Sequence, residues 1–180
     1  LMLDGRAPGA DAPVIFAAGP EQKSTFAFLA GRRVYLSQHL GDLERLGAWR
    51  AWEEAFDRYK ELFGLNPQVV ACDMHPEYLA SKWAREYAKA HGIPLIEIQH
   101  HHAHIASVLG ENMLTEPVIG VALDGTGFGT DGTIWGGEVL LANRSEFRRF
   151  WHLPPFLLPG GAAAIKDPVR VAYALLKSYE

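Results

Sequence analysis

The stretch IEIQHHHAHIAS, residues 96–107, decides how this chain is read. With Pro94 and Leu95 its first half is apolar and β-branched, and it reads as a strand over 94–99. Its second half runs on as HHHAHIASVLGEN and reads as a helix over 100–112. On that helix His100 and His104 are four residues apart, so they share a face about one turn apart. Two imidazoles at this spacing can hold one divalent ion. His101 points about a quarter-turn away and His102 lies on another face, so neither joins them easily. Two imidazoles fill no coordination shell, and a carboxylate, water or substrate oxygens must complete it. The competing reading is a polar helix start whose histidines meet solvent or backbone, and from the residues alone both stand.

Outward from this stretch, strands and helices alternate. VIFA (14–17) reads as a strand, and KSTFAFLAG (23–31) with RRVYLSQ (32–38) as a hairpin turning near Gly31. Leu43, Leu46, Trp49, Trp52, Phe56, Tyr59 and Phe63 recur at three- and four-residue spacing, which predicts a helix from Asp42, its cap, to Phe63. QVVACD (68–73) is a buried strand. Pro76 suits the first turn of a helix over 76–91 that Gly92 ends. PVIGVALD (117–124) is a strand, TIWGGEVLLA (133–142) and FRRFWHL (147–153) are two further arms, and a last helix begins near Asp167-Pro168.

Such alternation implies parallel pairing in an α/β layer architecture. The coarse order begins again at Pro117, as in a two-lobed protein of duplicated topology. Residues 1–116 are then the first lobe and 117–180 the start of the second, with the ligand between them. The chain opens at Leu1 in a Gly-, Ala- and Pro-rich stretch and ends at Ser178-Tyr179-Glu180 inside a helical pattern. A piece of a longer protein is expected.

The composition excludes several classes. A net charge of −4 gives no general electrostatic grip on nucleic acid or an acidic membrane. No apolar run approaches the roughly 20 residues of a membrane span, and the N-terminus lacks the order of a signal peptide. A cytoplasmic protein is expected. Cys72 is the one cysteine, so neither an intrachain disulfide nor a cysteine zinc cluster can form. It lies on a buried strand and reads as core.

VALDGTGFGTDGTIWGGE (121–138) holds six glycines, Gly125, Gly127, Gly129, Gly132, Gly136 and Gly137. Such density lets backbone approach a ligand, and successive N–H groups form a concave anion site. Asp124 ends a buried strand, so its carboxylate sits at the sheet edge facing a cleft, beside a candidate phosphate turn. Thr130-Asp131-Gly132 alone reads as a hairpin turn, and no lysine stands where a GxxxxGK[ST] loop needs one. Lys23 is a candidate phosphate contact or an exposed hairpin lysine. His75 reads as a helix cap or a cleft residue, with the structural role favoured, and His39 as a loop residue near the cleft. Glu138 faces the cleft or pairs within the hairpin.

Six stretches together resemble a known family: AAGPEQKSTFAF (17–28), LSQHLGDLE (36–44), ACDMHPEYLASKWA (71–84), IQHHHAHIASVLGEN (98–112), GVALDGTGFGTDGTIWGGEVL (120–140) and LPGGAAAIKDPVRVAYALL (158–176). They resemble the C-terminal carbamoyl-transfer region of the HypF family, the carbamoyltransferases of [NiFe]-hydrogenase maturation. That region is similar to the threonylcarbamoyl-transfer proteins of tRNA modification and, more distantly, to actin-like and sugar-kinase-like (RNase H-like) two-lobed ATPases. The resemblance implies a complete first lobe and a truncated second. It implies a metal on His100, His104 and Asp124, iron or zinc by ligand type, with Asp124 as the catalytic carboxylate. It implies that Gly125, Thr126 and Gly127 contact the phosphate of ATP or carbamoyl-adenylate. Lys23, Gly129, Gly160 and Gly161 are the further candidate cofactor contacts. An upstream module would make the carbamoyl-adenylate from carbamoyl phosphate and ATP, and the acceptor would be the C-terminal cysteine of the partner HypE. Ala162 stands where the family pattern has an acidic residue, which puts that loop's role in doubt. A small-molecule O-carbamoyltransferase and a non-catalytic nucleotide-binding module of the same fold are the alternatives. A tRNA-modifying role fits poorly with a chain that has no basic stripe.

Overall fold

The computed structural model describes residues 12–178; most of the Gly-, Ala- and Pro-rich opening stretch and the last two residues lie outside the described residues. In chain order the elements are β1 (Ile15–Ala17), β2 (Ala27–Ala30), β3 (Arg33–Leu36), α1 (Leu46–Phe63), β4 (Val69–Asp73), α2 (Leu79–His91), β5 (Leu95–Ile98) and α3 (His100–Glu111). There follow β6 (Val118–Ala122), β7 (Gly127–Phe128), β8 (Ile134–Trp135), β9 (Glu138–Ala142), β10 (Phe147–His152), α4 (Ala162–Lys166) and α5 (Pro168–Ser178). It is an α/β fold, as the alternation predicts.

The first sheet has the order β3-β2-β1-β4-β5. β1, β4 and β5 run parallel, and β2 is antiparallel to both β1 and β3. Aromatic rings supply the packing between this sheet and its helices. Phe16 of β1 lies within ring contact of Phe26, Phe28, Trp52, Phe56 and Trp83, at centroid distances of 4.7 to 5.9 Å. Phe16, Phe28 and Trp52 are fully buried, and Cys72 lies in the same cluster.

Two helices start three or four residues later than the sequence suggests, for one reason. Asp42 does not cap α1: its carboxylate accepts the Lys23 N–H at 2.9 Å, and the helix opens at an uncapped Arg45. Pro76 falls in a turn, and α2 begins at Leu79, whose N–H is taken by the Glu21 carboxylate at 2.8 Å. Both groups belong to pairings with the loop between β1 and β2, far away in sequence. Glu21 is buried, and burial raises its pKa. Gly64 and Gly92 end α1 and α2 in left-handed conformation, as the sequence indicates.

The second sheet is antiparallel, in the order β10-β9-β6. Its three strands form a meander like β1-β2-β3, with the β7–β8 hairpin inserted after β6. The expected single arm over 133–142 is split at Gly136-Gly137. Gly137 has φ 73°, and a Cβ on Gly136 would stand 2.6 Å from the Gly125 carbonyl oxygen. α3 packs on this sheet through Ile105 and Leu109, against Leu140 and Ala142, with Trp135 of β8 in the same cluster. Gly120, in mid-strand, admits the helix, since a Cβ there would stand 2.4 Å from Ile105 Cδ1. Among the described residues no helix is long and apolar enough to cross a membrane.

Candidate metal and phosphate site

Gln99 starts α3 at the mouth of the first sheet: its side-chain oxygen accepts the His102 N–H at 2.9 Å. That places His100 and His104 on one face, with their Nε2 atoms 3.2 Å apart. Asp124, just beyond β6, brings Oδ2 to 2.7 Å from His100 Nε2 and 3.7 Å from His104 Nε2. One ligand atom from each of the three lies within 4.8 Å of the others. Donors about 2.0–2.2 Å from a common cation have such mutual separations, and two imidazoles with a carboxylate suit zinc or iron. These residues therefore fit the metal that the histidine spacing suggests.

A second carboxylate, which the sequence reading did not single out, stands behind the first histidine. Asp73, at the end of β4, has its Oδ2 2.6 Å from His100 Nδ1, and its other oxygen accepts the His75 N–H at 2.8 Å. The hydrogen bond to Asp73 raises the His100 pKa against the effect of burial, with Asp124 adding to it. The one signal the sequence carries for Asp73 is its place at the end of β4; its pairing with Ile98, two residues before His100, belongs to the fold.

The other two histidines are structural. His101 is fully buried. The Gln99 amide nitrogen lies 3.2 Å from its Nδ1, and its Nε2 lies 3.1 Å from the Asp124 carbonyl oxygen. Burial lowers its pKa, so the neutral ring with its proton on Nε2 clamps the Asp124 backbone to α3. Gln99 also donates to the Phe128 carbonyl at 3.1 Å, a second tie between α3 and the glycine-rich turn. His102 lies 2.9 Å from the Asn143 carbonyl oxygen, within β9's reach.

The glycines of 124–138 divide into two groups. Gly125 is exposed with nothing within 4 Å of an added Cβ, and Thr126 beside it is half-buried, so this end of the turn is open. Gly127 and Gly129 are buried and closed in by side chains. A Cβ on Gly127 would stand 2.5 Å from His101 Cε1, and one on Gly129 would stand 2.1 Å from Trp135 Nε1. The Gly129 N–H is tied to the Thr133 carbonyl at 2.8 Å. Asp131-Gly132 is the hairpin turn expected, with Asp131 accepting from the Thr133 N–H and the Trp135 indole.

A cleft of about 450 Å3 opens beside the site, with Gly19, Thr25, Cys72, Asp73, His100 and His104 in its walls. Of the expected site residues only His100 and His104 line it; Asp124 and the turn residues Gly125, Thr126, Gly127 and Gly129 do not, nor do Lys23, Gly160 and Gly161. Lys23 is exposed at φ 49°, in the loop that supplies Gly19 and Thr25, and Gly160 and Gly161 precede α4 near Arg170. Cys72 is core, as expected; burial pushes its thiol up to about 11, so it is no nucleophile near neutrality. Glu138 pairs within the hairpin: fully buried, it accepts from Arg149 at 2.6 and 2.8 Å. His75 neither caps α2 nor lines the cleft; it stacks on Tyr78 at 4.0 Å. His39 is an exposed loop residue and does not line the cleft.

The family model for the HypF Kae1-like domain matches residues 10–111. A second, for the second subdomain of the carbamoyltransferase Kae1-like domain, matches residues 120–180. The chain belongs to the HypF carbamoyltransferase family. It is 42% identical over 164 residues to carbamoyltransferase HypF2 of Cupriavidus necator, covering 91% of this chain and 20% of that protein. It is 42% identical to carbamoyltransferase HypF of a Synechocystis strain, over 90% of this chain and 21% of that one. A crystal structure of full-length HypF in a phosphate- and nucleotide-bound form superposes with TM-score 0.86 at 43% identity, over 96% of this chain and 22% of that one. The T. kodakarensis HypF structure gives TM-score 0.87 at 33% identity, over 99% of this chain and 23% of that one. The chain thus spans about a fifth of these HypF proteins.

Proposed function

We propose that this chain is the carbamoyl-transfer region of a hydrogenase-maturation carbamoyltransferase, working in a cytoplasmic protein longer than the chain itself. On this reading it forms the first lobe, residues 1–116, and the start of the second, residues 117–180, of a two-lobed actin-like fold. The second antiparallel meander, which repeats the first, supports that division. The substrate is carbamoyl-adenylate, made elsewhere in the longer protein from carbamoyl phosphate and ATP. The acceptor is the C-terminal cysteine of HypE. Its sulfur bonds to the carbamoyl carbon, the bond from that carbon to the phosphate oxygen breaks, AMP leaves, and the thiol proton passes to solvent.

The observation that carries the reading is the convergence of His100, His104 and Asp124 at the edge of a cleft, beside the open Gly125-Thr126 end of the turn. A divalent ion held there supplies positive charge for phosphate oxygens. Backbone N–H groups around Gly125 and Thr126 steady the leaving phosphate, while buried Gly127 and Gly129 shape the turn. A thiol from a partner fits a chain whose own cysteine is buried and protonated.

The test is metal content with a nucleotide titration, for the chain and for the variant His100→Ala/His104→Ala. The reading expects a stoichiometric metal that the double variant loses, with nucleotide affinity falling alongside. Metal content unchanged by the double substitution would sink it. Carbamoyl transfer to a cysteine-ended peptide, assayed in the longer protein, then tests the acceptor.

A further inference from the structure

We propose that Asp73 is a positioning residue that assigns Nε2 of His100, rather than Nδ1, to the metal ion. The inference rests on the metal reading above and deepens it.

A neutral imidazole carries one N–H and one lone pair, and the partner of the N–H decides which nitrogen can bind a cation. His100 lies between two carboxylates, Asp73 Oδ2 at 2.6 Å from Nδ1 and Asp124 Oδ2 at 2.7 Å from Nε2. If the proton stays on Nε2, it occupies the point where His104 and Asp124 converge, and His100 cannot be a ligand. If it stays on Nδ1, the Nε2 lone pair faces that point. Asp73 is built to hold the second arrangement. Its side chain is 8% exposed against 36% for Asp124, so its bond is the less screened of the two. Its orientation is also fixed, because its other oxygen is held by the His75 N–H at 2.8 Å. A carboxylate behind a metal-binding histidine fixes the tautomer and raises ligand basicity.

Asp73→Asn makes the test sharp. The amide oxygen can keep the His75 N–H, which turns the amide nitrogen towards His100 Nδ1. That nitrogen donates, so Nδ1 must accept, and the ring proton moves to Nε2. Zinc titrated calorimetrically into the chain and into Asp73→Asn should bind the variant about 10- to 100-fold more weakly. Nitrogen-15 spectra of the imidazole, taken with the ring neutral, should show the proton on Nδ1 in the chain and on Nε2 in the variant. Asp73→Glu, which restores a carboxylate on a longer arm, should recover part of the affinity. Zinc binding to Asp73→Asn at full affinity, or a tautomer the substitution leaves alone, overturns the inference and spares the metal reading. A chain that binds no zinc overturns both. Should the variants fail to fold, the zinc-loaded chain still decides: Nδ1 protonated and Nε2 ligated supports the assignment, and Nδ1 ligated overturns it.

Discussion

Around the first sheet, large rings fill the space between strands and helices, with Phe16 in contact with Phe26, Phe28, Trp52 and Phe56. Across the second sheet and its hairpin, close packing comes from leaving side chains out. Gly120 admits Ile105, Gly127 admits the His101 ring, and Gly129 admits the Trp135 indole. Ring packing gives the first region its stability. Glycine contacts give the second its placement, because bare backbone at Gly120 and Gly127 lets β6 and the turn after it, with Asp124 between them, come close to the histidine helix.

The largest effect should come from the ring-packed region. Trp52 is fully buried, and Trp52→Ala should cost about 3–5 kcal/mol, read from chemical denaturation. A cost under about 1 kcal/mol would mean that the aromatic cluster is not the main support. Next come two glycines in one turn. Gly127→Ala drives a methyl into the His101 ring and towards His100 Cβ, so it should cost about 1–3 kcal/mol and weaken metal binding. Gly125→Ala meets nothing within 4 Å and should stay within about 0.5 kcal/mol. Equal costs for the pair would erase the distinction between the closed and open ends of the turn.

A smaller effect concerns Cys72. An unfolded thiol ionises near 9.0, and the buried one holds its proton to about 11. As pH rises from 9.0 towards about 11, the unfolded state loses a proton that the fold keeps, so the chain loses stability relative to Cys72→Ala. Parallel denaturation curves for the two across that window would contradict the burial. The smallest stability change belongs to His104, whose side chain is 56% exposed. His104→Ala should change stability by less than about 0.5 kcal/mol while metal affinity falls. A large destabilisation would make His104 part of the fold rather than of the site.

The sequence was legible where a residue acts on its own element. Ring spacing marked α1, and Gly64 and Gly92 marked where helices stop. The HxxxH spacing put His100 and His104 on one face, and Asp124 could be found because it follows an apolar strand, although that strand stops at Ala122 rather than at Asp124 as expected. Helix starts are not legible where the deciding partner is distant, as with Asp42 bound to Lys23 and Glu21 capping Leu79.

By itself, the sequence determined the α/β order and the pairing of two imidazoles on one helical turn, since both follow from local periodicity. Only the tertiary structure decided which histidines face the cleft and which are clamps, because His100 and His101 differ in what surrounds them and not in type. It alone brought Asp73 behind His100 and divided the glycines of the turn into open and closed, because those contacts join residues 27 and 26 positions apart in the chain. Hydrogen bonds and close packing at such separations leave no local pattern to read.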